Sequence, residues 1–164
     1  MTICLYCTPE WLAETAAHYP QNPKLKERLR KLTIGLAYRI KAEPAWGIDD
    51  DIIFCLFFDA GELTRIEFLT EAQASQEAEY ILSATPQEWK RLLRQEGKFV
   101  TDFMLGKVSL EQGSRVGILG VAPYADAVVE ALTQVTLRFP DELTDGELEA
   151  YRANMQSFRQ ELGV

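Results

Sequence analysis

The sequence contains no long apolar segment. Its most apolar run, from Ile52 to Phe58, is 7 residues long, whereas a helix that spans a membrane needs roughly 20 residues. The composition, with 47% hydrophobic and 26% charged residues in a chain of 164, is typical of a globular protein. We therefore expect residues 1–164 to form a single soluble domain without integral membrane association.

Positive charge is also scarce. The chain has 17 basic and 25 acidic residues and a net charge of −8, which repels phosphate backbones and makes nucleic acid a poor partner. The basic residues nevertheless crowd between Lys24 and Lys31. This run could contact anionic lipid or the phosphates of an acyl carrier, or it could be the exposed face of a helix whose leucines are buried. The net negative charge favours the second interpretation.

Cysteine and histidine, which build most structural metal sites, are few. Cys4 and Cys7 form a C-x-x-C motif, but a structural zinc site usually requires four ligands. The remaining candidates are Cys55, inside a predicted strand, and His18, the single histidine. His18 has no evident partner for general-base catalysis. The sequence therefore predicts no metal site, no cofactor and no catalytic residue, and we expect a protein that is not an enzyme.

The cysteine content also bears on location. Three cysteines, in a chain long enough to fold without disulfide bonds, indicate free thiols in a reducing compartment. The amino-terminal segment has no basic stretch followed by an apolar core, which a secretion signal would have. We therefore expect a cytoplasmic protein.

Alternation of apolar and polar residues predicts five strands. The clearest alternation runs from Ile34 to Lys41, and the segment from Asp59 to Glu62 is typical of a tight hairpin because of its length and its glycine. We expect an α+β fold with a mainly antiparallel, twisted five-stranded sheet. The predicted strands are residues 34–41, 52–60, 63–70, 79–84 and 107–111.

Capping residues predict the helices. Three helices begin at a cap followed by proline, at Thr8, Asn22 and Thr85, because proline at the first helical position loses only a donor that is unpaired anyway. The second continues to Leu32. The other predicted helices are residues 99–105, 124–137 and 144–162, and the one that begins at Thr85 ends near Gly97.

The last of these helices, residues 144–162, begins at a capping box and carries an apolar stripe. A stripe of this kind must be covered by the body of the protein or by a twin subunit. A homodimer through this C-terminal helix is therefore one of the two expected arrangements. The stripe consists of Leu148, Tyr151, Met155, Phe158 and Leu162.

Four groups of residues occur in an order that resembles the sterol carrier protein type 2 family of lipid-transfer domains. They are Phe54 and Leu56 with Gly61, then Ala78 to Ser83, then Thr85 and Pro86 with Trp89, then Phe103 to Leu110. The likeness covers about residues 25–139, so that helix 8–18 and helix 144–162 are additions to the shared core. The resemblance implies a five-stranded sheet with helices on one face, enclosing an apolar tunnel that binds fatty acyl chains, sterols or other lipids.

Two functions follow as hypotheses. The first is binding, with possible intracellular transfer, of an apolar ligand in an internal cavity. The second is a protein–protein interaction module or ligand-sensing subunit with a filled core. A cavity of roughly 300 to 1,000 Å³ would favour the first. The candidate cavity residues are the inward-facing apolar side chains Phe54, Leu56, Phe58, Ile66, Phe68, Tyr80, Leu82, Trp89, Leu93, Phe103 and Met104.

Overall fold

Seven strands and eight α-helices make up residues 2–164, the part of the chain that the computed structural model describes. In chain order they are β1 (Ile3–Leu5), α1 (Pro9–His18), α2 (Pro23–Arg28), β2 (Ile34–Ile40), β3 (Ile52–Asp59), β4 (Glu62–Leu69), α3 (Glu71–Glu77), β5 (Tyr80–Ala84), α4 (Pro86–Leu93), α5 (Phe99–Met104), β6 (Ser109–Gln112), α6 (Arg115–Val121), α7 (Ala125–Leu132), β7 (Thr136–Arg138) and α8 (Asp145–Leu162).

The main sheet is mixed, with five strands in the order β4-β3-β2-β5-β6. Three of its four pairings are antiparallel, as the sequence predicts, but β2 and β5 run parallel. The reason is a crossover: after β4 the chain does not turn back beside it, but passes through α3 to the far side of β2. Parallel neighbours require such a crossover. The expected antiparallel meander is therefore correct only for β2 to β4.

Helix α3 is absent from the sequence prediction. It begins at Thr70, whose hydroxyl accepts a hydrogen bond from the backbone N–H of Gln73 while the Gln73 side chain accepts one from the N–H of Thr70. This capping box stabilises its start. Its Ala74 is fully buried in a small cluster with Cys55 and Ile81, on the face of the sheet opposite to the main core. Helices therefore cover both faces, and not one face as expected.

A second, two-stranded sheet joins the ends of the chain. Strands β1 and β7 pair in parallel, with Cys4 opposite Leu137. The sequence places residues 124–137 in one helix, but α7 ends at Leu132. The β-branched residues that follow it favour an extended conformation, and pairing with the amino-terminal segment supplies the backbone hydrogen bonds that a helix would have supplied.

One row of inward side chains crosses the main sheet from edge to edge. Because directly paired residues point to the same face, the register aligns one residue from each strand. In sheet order these residues are Phe68, Phe54, Tyr38, Leu82 and Leu110. All five belong to the main apolar core, and this row forms the base on which the covering helices pack.

Helix α8 covers the β4 end of this row. Its Tyr151, Met155 and Phe158 are buried, and the Phe158 ring stacks on Phe68 with the ring centroids 5.3 Å apart. The Tyr151 hydroxyl donates to the backbone oxygen of Tyr6 at 2.7 Å. The stripe thus docks on the same chain and leaves Leu162 exposed. Homodimerisation through this helix has no support in the structure.

Candidate functional site

A cavity of about 390 Å³ lies between the main sheet and the helices that cover it. Its base consists of Leu36 and Tyr38 from β2, Phe54 from β3 and Leu82 from β5. Three of these belong to the row that crosses the sheet, and Leu36 lies two residues along β2 on the same face. The volume falls within the roughly 300 to 1,000 Å³ of typical small-molecule sites.

Helix α4 forms one wall with Trp89, Leu92 and Leu93. Its start is fixed by Thr85, whose hydroxyl accepts a hydrogen bond from the N–H of Glu88. The Trp89 indole N–H donates to the backbone oxygen of Arg39 at 3.0 Å. Because this bond spans from helix to sheet, it holds the indole over the Tyr38 ring, at an edge-to-face centroid distance of 5.4 Å.

Helix α7 forms the facing wall. Val128, Val129 and Leu132 contribute its apolar surface, and none of them is aromatic. The Leu132 backbone oxygen accepts a hydrogen bond at 2.8 Å from the indole N–H of Trp11, which anchors α7 to α1. Short side chains on a helix that is held in place at its end leave space between α7 and the sheet.

The amino-terminal segment closes one side of the cavity. Tyr6, which follows β1, is among the lining residues and is 1% exposed. Its ring packs against Trp11 and Phe139, at centroid distances of 5.2 and 4.8 Å. Trp11 in turn contacts Phe54 edge to face at 5.3 Å. The predicted addition before residue 25 is therefore part of the cavity wall.

The rim of the cavity carries charges of both signs. Arg28 and Lys98 are the basic lining residues, and Asp126 and Glu130 are the acidic ones. Arg28 forms an ion pair with Glu130. The leucines at positions 25 and 29 of the same basic run are fully buried, so this run is mostly the exposed face of a short helix, with Arg28 at the rim.

Four of the eleven candidate cavity residues line this cavity: Phe54, Leu82, Trp89 and Leu93. The other seven lie elsewhere in the fold. Leu56 and Phe58 are buried in the main core without lining the cavity, and Phe58 contacts Tyr19 at a centroid distance of 5.8 Å. Ile66 and Phe68 lie on β4, where Phe68 is covered by Phe158 and does not face Trp89 across the cavity.

The remaining three candidates surround α5 and α6. Tyr80 is half-buried, and its hydroxyl lies where a side chain at Gly117 of α6 would be. Phe103 is buried beneath the guanidinium of Arg115, 4.7 Å from the ring centroid. Met104 is 65% exposed, so the structure places it at the surface.

Sequence reasoning missed the contributions of Tyr6, Leu36, Tyr38 and the whole of α7. A signal existed for two of them, because the alternation over Ile34 to Lys41 assigns Leu36 and Tyr38 to the inward face of β2. No local signal identifies Tyr6, since its position depends on the pairing of β1 with β7, more than 100 residues apart.

Burial shapes the chemistry of the ionisable groups near the cavity. It raises the pKa of the Tyr38 and Tyr6 hydroxyls, so both remain protonated. It also raises the pKa of the Cys7 thiol, which is fully buried and therefore a poor nucleophile. Within residues 2–164 no three histidine, cysteine or acidic side chains form a group that could hold a metal ion. No helix in that range has the length and apolar character needed to cross a membrane.

The sheet order, the helical layers and the cavity together define an α+β fold with a mainly apolar pocket between the sheet and its helices. This is the fold of sterol carrier protein 2, as the sequence resemblance predicts. A crystal structure of sterol carrier protein 2 superimposes with a TM-score of 0.65 at 20% identity, covering 79% of this chain and 98% of that one. A conserved hypothetical protein from Thermus thermophilus, suggested to be a sterol carrier protein, has a TM-score of 0.67 at 19% identity, with coverages of 80% and 90%.

A more distant likeness is to the apo form of sterol carrier protein 2 from Yarrowia lipolytica. Its TM-score is 0.52 at 11% identity, covering 76% of this chain and 88% of that chain. No protein-family model and no curated protein sequence matches the chain. The similarity is therefore one of fold, with little of the sequence retained.

Proposed function

We propose that the protein binds an apolar or weakly amphipathic lipid, such as a fatty acyl chain or a sterol, in the cavity between the main sheet and helices α4 and α7. The observation that carries this proposal is an apolar space of about 390 Å³ in a fold shared with sterol carrier protein 2. A filled core, which the interaction-module hypothesis requires, would leave no such space.

The energetics favour a ligand that is mostly hydrocarbon. Burial of about 300 Å² of apolar ligand surface contributes about 7 kcal/mol, and part of this is offset by the loss of translational and rotational freedom. The indole N–H groups of Trp11 and Trp89 already donate to backbone oxygens. Neither indole therefore demands a polar partner from the ligand, and Trp89, which lines the cavity, contributes apolar surface to its wall. Dissociation constants in the micromolar range are expected.

Transfer between lipid surfaces is supported by a second feature, an apolar surface on α5 and α6. Arg115 lies over Phe103 and so brings the start of α6 onto α5. Phe99 and Val121, at the ends of the same two helices, line the cavity. Exposed apolar side chains beside a cavity could rest on a lipid surface during loading and release. They are Val100, Met104, Leu105, Val116 and Leu119, with Val116 exposed by 84%.

The same exposed surface favours the second candidate function, docking of a protein partner, because large exposed apolar patches mark interaction sites of either kind. The two functions differ in what the cavity contains. A lipid carrier binds its ligand whether or not a protein partner is present. An interaction module binds no lipid in the cavity under any condition.

Native mass spectrometry of the purified protein, followed by extraction and analysis of bound lipid, tests the proposal. We expect a fraction of molecules to carry a lipid, and the delipidated protein to bind fluorescent fatty acyl and sterol analogues with micromolar affinity. Absence of co-purified lipid together with no binding of either probe would reject lipid binding and leave the interaction module.

Transfer is tested separately with donor and acceptor vesicles. The double substitution Val116→Ser and Leu119→Ser should slow probe transfer and leave equilibrium binding unchanged, because these side chains lie outside the cavity wall. Ala16→Ser together with Ala17→Ser, on the exposed face of α1, is a matched control that should have no effect. Equal transfer rates for all three proteins would contradict the role of α5 and α6.

A further inference from the structure

Two tyrosine side chains in the cavity wall carry hydroxyls that are not engaged by any other group of residues 2–164. Tyr38 and Tyr6 both line the cavity. Among residues 2–164, neither hydroxyl forms a hydrogen bond within the protein, although Tyr6 is 1% exposed. Neither hydroxyl is among the fully buried side-chain atoms that lack a partner, such as the hydroxyls of Thr15 and Ser83, so both remain accessible from the cavity.

Two other tyrosines of this chain use their hydroxyls within the protein. The Tyr19 hydroxyl donates to the backbone oxygen of Gly61 at 2.5 Å, and the Tyr151 hydroxyl donates to that of Tyr6 at 2.7 Å. Neither Tyr19 nor Tyr151 lines the cavity. The two unpartnered hydroxyls are therefore found where the wall faces open space, and the two paired ones are found where it does not.

The position of Tyr38 directs its hydroxyl toward the cavity. Side chains of a sheet stand roughly perpendicular to it, and Tyr38 occupies the middle strand between two other residues of the base, Phe54 and Leu82. Its ring is held by stacking on Phe54 at 5.3 Å and by the edge-to-face contact with Trp89. The hydroxyl, at the far end of the ring, therefore lies in the layer between the sheet and the covering helices.

We propose that the Tyr38 and Tyr6 hydroxyls form a polar subsite inside the cavity, which hydrogen-bonds a neutral hydroxyl or carbonyl group of an otherwise apolar ligand. This inference rests on the proposed function and specifies the ligand further. It assigns to the cavity two specificity-determining residues, one of which, Tyr6, comes from outside the segment 25–139 on which the sequence resemblance is based.

The choice of a neutral group follows from the charges around the cavity. The two cationic lining residues, Arg28 and Lys98, are exposed, and Arg28 is paired with Glu130. No cation is therefore buried with the tyrosines to balance a carboxylate, and burial of an unpaired charge is costly. Burial also raises the pKa of both tyrosines, so each keeps a proton to donate.

Competition binding with three ligands of similar length tests the subsite. Hexadecanol and heptadecane differ in a single terminal group, oxygen against carbon, and palmitate adds a negative charge. The delipidated wild type should prefer hexadecanol to heptadecane by roughly threefold to tenfold, the range that one or two net hydrogen bonds provide. Palmitate should bind more weakly than hexadecanol at neutral pH.

Substitution of the hydroxyls should abolish the preference. Tyr38→Phe, alone and with Tyr6→Phe, removes oxygen atoms and keeps the rings. Heptadecane should bind these variants at least as well as the wild type, while hexadecanol loses its advantage. Tyr19→Phe is the matched control: it removes a hydroxyl that is paired within the protein, so it should lower the melting temperature and leave the preference for hexadecanol intact.

The possible results separate this inference from the proposed function. Equal wild-type affinity for hexadecanol and heptadecane, or an unchanged preference in the double variant, would overturn the polar subsite and leave lipid binding in place. Failure of the wild type to bind any of the three ligands, or any fatty acyl or sterol probe, would overturn both. The wild-type preference is itself decisive, so poor folding of a variant would not rescue the proposal.

Discussion

The row of inward side chains across the main sheet has two differently covered regions. At the β4 end, Phe68 lies under Phe158 of α8, and the space between sheet and helix is filled by stacked rings. At the centre, Tyr38 and Leu82 lie under α7, which presents Val128 and Val129 and leaves the cavity. The strands supply the same kind of surface in both regions. The two regions differ in what covers them, since stacked rings fill the space at the β4 end and the short side chains of α7 leave a cavity beside Trp89 at the centre.

The filled region and the hollow region should therefore contribute differently to folding stability and to ligand binding. Atoms that border an empty space lack dispersion partners on one side, so the hollow region contributes less to folding than an equally apolar filled region. We therefore expect substitutions under α8 to change the free energy of unfolding, and substitutions under α7 to change ligand affinity. The predictions below test this division, beginning with the largest expected effect.

Phe158→Ala should cause the largest loss of stability. It removes a buried ring from the filled region and leaves a cavity there, and substitutions of this kind typically lower the free energy of unfolding by about 3 to 5 kcal/mol. Urea unfolding measures the change. Gln160→Ala, at an exposed position of the same helix, is the control and should change stability by less than about 0.5 kcal/mol. A loss below about 1 kcal/mol for Phe158→Ala would show that α8 does not hold the β4 end together.

Replacing a residue of the inward row by tryptophan should mainly lower stability in the filled region and mainly displace ligand in the hollow region. Phe68→Trp overpacks the filled region and should lower the free energy of unfolding by about 1 to 3 kcal/mol, with ligand affinity retained. Leu82→Trp extends into the cavity and should displace a fluorescent fatty acyl probe at a smaller cost in stability. Leu93→Trp, on the opposite wall, is a second cavity-filling variant. Displacement of the probe by Phe68→Trp but not by Leu82→Trp would reverse the comparison.

Sequence patterns predicted the local structure well where the signal was local. The caps at Thr8, Asn22, Thr85 and Thr144 each begin a helix, because a side-chain oxygen within three residues satisfies an otherwise unpaired N–H. The strands β2 to β6 were found from alternation. Strands β1 and β7 were missed because three residues are too few for a periodic signal, and each is stabilised by a partner distant in sequence.

The candidate site was less predictable than the fold. Alternation showed that Phe54, Phe68 and Leu82 share one face of the sheet, but it contains no information about which helix covers each of them. That depends on the parallel pairing of β2 with β5, which places β5 inside the sheet between β2 and β6. Leu82 therefore lines the cavity, whereas Phe68, equally apolar and equally inward, packs under α8.

Two neighbouring carboxylates, Asp141 with Lys90 and Glu142 with Arg94, connect the two regions, and Glu142 provides the smallest predicted effect. Glu142 follows β7 and precedes α8. It accepts hydrogen bonds from the backbone N–H of Phe139 at 2.8 Å and from the guanidinium of Arg94, at the end of α4, at 2.9 Å. Partial desolvation raises the pKa of Glu142, but the Phe139 N–H and the nearby Arg94 and Lys90 outweigh it, and the net pKa is lowered.

The sign of the resulting pH dependence follows from that lowered pKa. A carboxylate with a pKa lower in the folded than in the unfolded state stabilises the protein above its ordinary pKa, and this stabilisation is lost as the pH falls through the folded value. Glu142→Gln should therefore be less stable than the wild type at pH 7, and the gap should close in acid. The difference should be less than about 1 kcal/mol because the pair is partly exposed. Urea unfolding between about pH 7 and pH 3 measures it.

Glu149→Gln is the matched control for this measurement, since Glu149 is exposed and forms no ion pair among residues 2–164. Its stability should follow the wild-type curve throughout the pH range.

Because Glu142 joins the α4 wall of the cavity to the segment that leads into α8, Glu142→Gln should leave probe affinity at pH 7 unchanged while the protein is folded. A loss of affinity without a loss of stability would mean that Glu142 shapes the cavity itself, and the separation between the filled and hollow regions would be wrong at this point.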